Sequence, residues 1–187
     1  MALAAQRDAR MHVAEFRHWA EGRPDAERWE LLDGEPVLLS PPRERRQATV
    51  ANRTRRISDL ADGKGGRAMP GLGIVSAERD DFVPIPDGVV RCGPPLPDGD
   101  AEDPLLVAEV LSPPTMSLDR GRKIDFYRTV PSLKVLLIVY SDEMRVDVRR
   151  REASDWAVQA SGSGGSVALP ELDGTVPVSD IYRGLAV

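Results

Sequence analysis

Three charged residues stand where the surrounding pattern calls for apolar ones, and each could do chemistry. In Leu105-Leu106-Val107-Ala108-Glu109-Val110-Leu111 both faces are apolar except at Glu109, the signature of a central strand covered on both sides. A carboxylate buried there costs several kcal/mol unless it is paired, protonated or bound to metal. One answer is a salt bridge that closes the sheet. Asp87 is the second residue, because it interrupts a face shared by Val83, Ile85 and Val89, although Pro86-Asp87-Gly88 is also a plain turn signature. With Glu109 on an adjacent strand, Asp87 would complete a pair of hard carboxylates. Two such groups plus a backbone carbonyl are what Mg²⁺ requires.

Lys123 is the third. On a helix at about 100° per residue, Tyr127 falls about 40° and Val130 about 20° from Lys123, while Arg122, Asp125 and Arg128 point away. A lysine on that apolar face either snorkels to the rim or finds an anion, and Glu109 lies on the strand just before. Asp119 and Arg120 share its face one turn earlier. Glu30 is a possible fourth polar contributor, although alternation would place it equally well on a solvent face. No basic or histidine partner nearby suggests an activated thiolate at Cys92, which reads as a small buried hydrophobe. Ser112 is followed by Pro113 and no G-x-S-x-G elbow exists, so acyl transfer is not supported.

The elements that must position these groups follow from periodicity. Val13, Phe16 and Trp19 predict a helix over 11–21, stopped by Gly22 and Pro24. Asp33-Gly34 between two apolar runs predicts a hairpin of 29–32 with 36–39. A helix follows over 44–60, then Gly-rich turns, a strand at 105–111, a helix at 119–130 and strands at 133–140 and 144–149. A short strand at 156–159, a Gly-rich turn at 162–165 and a short helix at 180–182 close the chain. The Pro, Gly and Asp-rich stretch 93–104 reads as an exposed loop. Hairpins combined with one strand-helix-strand crossover predict a single α/β domain, a mixed sheet flanked by helices, over 11–187 with a flexible segment at 1–10.

Composition excludes several classes. No apolar run approaches the ~20 residues that cross a bilayer, and no secretory signal is visible. The only cysteine cannot form an internal disulfide, which fits a reducing cytoplasm. With two histidines and one cysteine, no zinc site at a usual spacing can be assembled, so a metal here needs oxygen ligands. The net charge of −5 conceals one basic segment. From Arg43 to Arg67 there are eight basic and three acidic residues, largely on the second helix. They form either a solvated face or a phosphate-contacting one.

The same residues make the chain resemble the Uma-type restriction endonuclease-like family, a branch of the PD-(D/E)XK nuclease superfamily. The likeness includes Phe16, Trp29-Glu30-Leu31-Leu32-Asp33-Gly34-Glu35, Ser40-Pro41-Pro42, Pro86-Asp87-Gly88-Val89-Val90 and Ala108-Glu109-Val110-Leu111-Ser112-Pro113. It continues through Asp119-Arg120-Gly121-Arg122-Lys123, Tyr127-Arg128 and Val130-Pro131-Ser132-Leu133 to Asp180-Ile181-Tyr182. Only the first ten residues fall outside.

The resemblance implies an active site at one end of a mixed sheet, with Asp87 and Glu109 as Mg²⁺ ligands and the Val110 carbonyl as a third. Mn²⁺ would substitute. The superfamily's usual lysine, two residues after the glutamate, is Leu111 here, and the family's relocated lysine corresponds to Lys123. Where many relatives carry His before Gln or Asn in the second helix, this chain has Arg46-Gln47.

The expected activity is metal-dependent endonucleolytic cleavage of DNA. Asp87, Glu109 and Lys123 would be catalytic, Glu30 and Arg120 accessory, and Arg45, Arg46, Arg53 and Arg56 would contact phosphates. A homodimer would add positive charge that one copy lacks. The alternative is an inactive module of the same fold that binds nucleic acid or a protein partner.

Overall fold

The hairpin signal at Asp33-Gly34 is realised in the computed structural model, where both residues take positive φ, 50° and 79°, as a tight two-residue turn requires. The structure describes residues 10–96, 99–111, 119–153 and 155–187, without the side chains of 119 and 120. The expected flexible segment lies outside these residues apart from Arg10, and so do Ser112, Pro113 and the side chain of Arg120.

Helix α1 (Val13–Glu21) precedes the hairpin of β1 (Trp29–Leu32) and β2 (Glu35–Leu38). Helix α2 (Glu44–Gly63), β3 (Arg67–Met69), β4 (Gly88–Arg91) and β5 (Leu106–Leu111) follow. Helix α3 (Asp119–Thr129) then leads to β6 (Val135–Tyr140), β7 (Arg145–Glu152) and β8 (Asp155–Gly162). A last hairpin, β9 (Ser166–Leu169) with β10 (Gly174–Pro177), ends in helix α4 (Val178–Ile181).

Six strands form one mixed sheet in the order β3-β4-β5-β6-β7-β8. Only β5 and β6 run parallel, joined through α3, and their alternation sets the layers. Leu106, Ala108 and Val110 face α2, the last hairpin and α4, together with Val135, Leu137 and Val139. Val107, Leu111, Leu136 and Ile138 face α3, where Phe126, Tyr127 and Val130 pack. Every residue of β5 and β6 is buried. Period-two parity therefore puts Glu109 on the α3 side with Val107 and Leu111.

Two devices fix the helices. Arg151 donates to the carbonyls of Arg128, Val130 and Leu133 while lying over the Trp156 ring, so one guanidinium ties the end of α3 to the turn that follows it. On the other face, Asn52 of α2 donates to the carbonyls of Ile181 and Arg183, and Arg56 pairs with Asp180. The Tyr182 hydroxyl sits 2.6 Å from the carbonyls of both Tyr140 and Arg145, which ties α4 to the β6–β7 turn.

Some expectations are corrected. Asp87 immediately precedes β4 rather than lying within a strand, since its turn signature prevails. The loop 93–104 is not simply exposed: Ala101 is buried, its N–H bonds the Gly73 carbonyl, and its carbonyl accepts from Val75. Cys92 is exposed, because it leaves the sheet just after Arg91. The hairpin of β9 and β10 lies in a stretch for which the sequence indicated no element.

Asp33 links the first hairpin to α3 through Arg122 at 2.5 Å and to Arg79 at 2.7 Å, while Arg122 also donates to the Leu32 carbonyl. Burial pushes the Asp33 carboxyl up, but the hydrogen bonds from Arg79 and Arg122 outweigh it and hold the group below its ordinary value. A depressed carboxylate contributes stability above the unfolded-state pKa and loses it as pH falls through the folded one. Asp33→Asn, which tolerates the left-handed backbone, is expected to lower stability by about 1 kcal/mol at pH 7. In urea melts the difference from the unsubstituted protein should close as the pH drops below 3.8. A gap unchanged at acid pH would show that the turn, not the charge, matters.

Candidate active site

Antiparallel register decides which acids meet. Gly88 pairs with Ala108, so Asp87 lies across from Glu109. The Val110 amide, at the next position of β5, donates to Asp87 Oδ2 at 2.7 Å. Helix α3 covers this face with Lys123 and, one turn later, Tyr127. The first hairpin adds Glu30 from β1. These side chains converge on a groove of about 760 Å³ that Arg46 of α2 also lines.

Glu109 is 7% exposed and accepts a 2.6 Å hydrogen bond from the Tyr127 hydroxyl. Lys123 Nζ is 2.5 Å from Glu30 Oε1 and 3.7 Å from Glu109 Oε1, so one ammonium serves two carboxylates. The second partner of Glu30 is the Ile85 amide at 2.7 Å. Glu30 thus belongs to the site, and β1 has no solvent face at this point because Leu31 and Leu32 are buried as well. Burial pushes Glu109 up to about 7, with Asp87 and Glu30 adding to the effect and Lys123 and Tyr127 opposing it. Burial also acts to lower Lys123, but Glu109, Glu30 and Asp87 together prevail and raise it. The ammonium stays charged. Tyr127 is held well above its usual range by burial and then by Glu109, so it is a fixed donor.

Beneath Asp87 lies Arg53, 2% exposed, with Nη2 donating to the Asp87 carbonyl at 2.7 Å. Burial lowers its pKa to about 10 against the fields of Asp87 and Glu109. Gly88 is required here: a Cβ at that position would sit 2.5 to 2.8 Å from the Arg53 guanidinium atoms. On the groove side, Arg46 reaches both oxygens of Asp87, at 2.9 and 3.1 Å from Nη2.

The four arginines expected to face phosphate therefore part company. Arg45 is exposed. Arg53 is interior, which corrects its expected outward placement, and Arg46 lines the groove with its guanidinium on Asp87; a helix laid against an acidic sheet end directs basic residues to those acids. Arg56 is paired with Asp180. Val110 meets Asp87 through its amide. Tyr127 was legible as a neighbour of Lys123 on the helix face and as part of the family likeness, but not as the hydrogen-bond donor to Glu109, although a buried tyrosine hydroxyl demands a partner. Nothing in the sequence links Arg46 to an acid 41 residues away.

The order of strands, the single crossover and the helices on both faces define a restriction endonuclease-like α/β domain. The chain belongs to the Uma2 family, described as "Putative restriction endonuclease", whose model matches residues 13–176. A crystal structure of "a putative nuclease belonging to DUF820" from Anabaena variabilis ATCC 29413 superposes with a TM-score of 0.74 at 16% identity, over 92% of this chain and 97% of that one. That likeness is one of fold. "Uncharacterized protein slr1290" from Synechocystis sp. (strain ATCC 27184 / PCC 6803 / Kazusa) is 36% identical over 84 residues, 44% of each chain. The match thus spans under half of that relative. Among the described residues no helix is long and apolar enough to cross a membrane.

The shared ammonium sets a thermodynamic expectation. Lys123→Met leaves Glu30 and Glu109 buried without their cation, which should cost about 3 kcal/mol. Adding Glu30→Gln should recover part of that loss, so the double variant is more stable in urea than the single one. Equal stability of the single variant and the unsubstituted protein would mean that the ammonium is solvated rather than paired.

Proposed function

We propose that this chain is a metal-dependent endodeoxyribonuclease that hydrolyses DNA phosphodiester bonds. The observation that carries the reading is the convergence of Asp87, Glu109 and Lys123 on one open groove at the sheet end. The donor set suits Mg²⁺. Its two carboxylates are hard oxygen donors, and since no three His, Cys, Asp or Glu side chains among the described residues are grouped to hold an ion, water would have to complete most of the coordination. Mg²⁺ keeps several waters and is commonly held by one or two carboxylates. Asp87 and Glu109 would hold it with the Val110 carbonyl as a third ligand, and Mn²⁺ would substitute. When bound, such an ion neutralises phosphate charge and lowers the pKa of an attacking water.

The chain's own groups do the rest. Tyr127 orients Glu109 through its hydroxyl, and Arg53 and the Val110 amide fix Asp87 from behind. Lys123, charged and anchored on Glu30, offers its remaining N–H groups to a water or to charge developing on the phosphate. Arg45, exposed at the start of α2, would make sequence-independent phosphate contacts. DNA is the proposed partner, a homodimer the proposed source of further positive charge, and the cytoplasm the proposed location.

A second reading, an inactive module of the same fold that binds nucleic acid or a protein, is favoured by the ion pair already covering Asp87. Isosteric variants separate the two. Asp87→Asn, Glu109→Gln and Lys123→Met are each expected to reduce cleavage of a panel of single-stranded, duplex, nicked and branched DNA by about 10²-fold or more in Mg²⁺ or Mn²⁺, with the circular dichroism spectrum retained. Full activity in Glu109→Gln would overturn the catalytic reading, and cleavage absent from every substrate would favour the binding module.

A further inference from the structure

Two arginines of one helix meet the same aspartate in different ways. Arg53 is buried and grips the Asp87 backbone carbonyl from the interior. Arg46 approaches from the groove, with 29% of its side chain exposed, and its hydrogen bonds go to the carboxylate alone. Nε and Nη2 lie 3.2 and 3.1 Å from Oδ1, and Nη2 lies 2.9 Å from Oδ2. Oδ2 also accepts the Val110 amide. A carboxylate has roughly four lone-pair positions, and most of those on Asp87 are therefore taken. An ion ligated by Asp87 must displace a partner. Arg53 and the Val110 amide are packed in place, whereas Arg46 can leave into the groove.

Resting on the metal-dependent reading of this site, we propose that Arg46 is a positioning residue that holds Asp87 as an internal counter-ion, yields it to a divalent cation, and then takes a phosphate of the bound strand. The exchange is one of charge. A monovalent guanidinium is replaced at the carboxylate by a doubly charged ion, and the guanidinium is released on a helix beside the place where the phosphodiester must sit. Its planar fork matches a phosphate as well as a carboxylate. Asp87 therefore keeps a cation in both states, and the acidic end of the sheet is never left with an uncompensated charge. Metal and strand are coupled through one side chain: each removes a competitor of the other, so binding of one favours binding of the other.

Calorimetric titration of the full chain with Mn²⁺ tests the first half. Arg46→Met keeps the stem and removes the competitor, so it should bind Mn²⁺ about tenfold more tightly than the unsubstituted protein. Arg46→Lys, which retains charge without the fork, should fall between the two, and Arg46→Gln serves as a second uncharged variant if the first does not fold. A short fluorescent oligonucleotide tests the second half. In Ca²⁺, Arg46→Met should bind it several-fold more weakly than the unsubstituted protein, whereas without divalent ions the two should bind alike. Mn²⁺ affinity that is unchanged or weaker in both uncharged variants, with the unsubstituted protein binding the ion, overturns the exchange and leaves the metal site standing. No Mn²⁺ uptake by any form overturns both.

Discussion

The architecture turns on one electrostatic constraint: a carboxylate in a strand that is buried along its whole length. Glu109 lies in a strand covered on both faces, where desolvation would drive it neutral unless its surroundings supply charge. Lys123 supplies it, and Tyr127 adds a hydrogen bond, from one helix face a turn apart. Two further carboxylates, Glu30 and Asp87, crowd the same space, and two more cations, Arg46 and Arg53, answer them. Three acids and three bases from five segments, β1, α2, the turn before β4, β5 and α3, meet at one sheet end. Removing any one leaves a charge stranded in low dielectric, so the hairpin, both helices and the sheet are held to one relative placement.

Rigidity is concentrated behind the acids rather than in front of them. Gly88 admits the Arg53 guanidinium against the backbone of β4, and the Asp33–Arg122 contact joins hairpin and helix a few residues from Glu30 and Lys123. Arg151 closes the far end of α3. The groove side is open and carries the more exposed arginine. Such an arrangement keeps the oxygen atoms in place while leaving room for exchange of what they bind.

Much of this was legible in the sequence, for a physical reason in each case. Glu109 stood out because a charge in an apolar run violates the period of a buried strand, and Lys123 because helical geometry put it on an apolar face. Asp33-Gly34 specified its turn through backbone sterics. What escaped depends on three-dimensional proximity between distant segments. The Arg46 and Arg53 positions looked like one basic surface, since residue type does not say which side of a helix lies against an acid. Glu30 was ambiguous because a four-residue strand offers too little alternation to choose a face. The hairpin of β9 and β10 escaped because a four-residue link separates its short strands, without the two-residue turn that marked the first hairpin.

The last turn of the chain bears on the order in which the protein can be made. Asn52 needs the carbonyls of Ile181 and Arg183, and the Tyr182 hydroxyl closes the turn after β6. Helix α2, which carries Arg46 and Arg53, thus gains its final docking partners only when residue 183 has left the ribosome. A nascent chain already holding Asp87, Glu109 and Lys123 still lacks the support that seats its arginines. Assembly of the charged cluster thus waits on a distant part of the chain: the acids are synthesised long before the contacts that seat the arginines of α2.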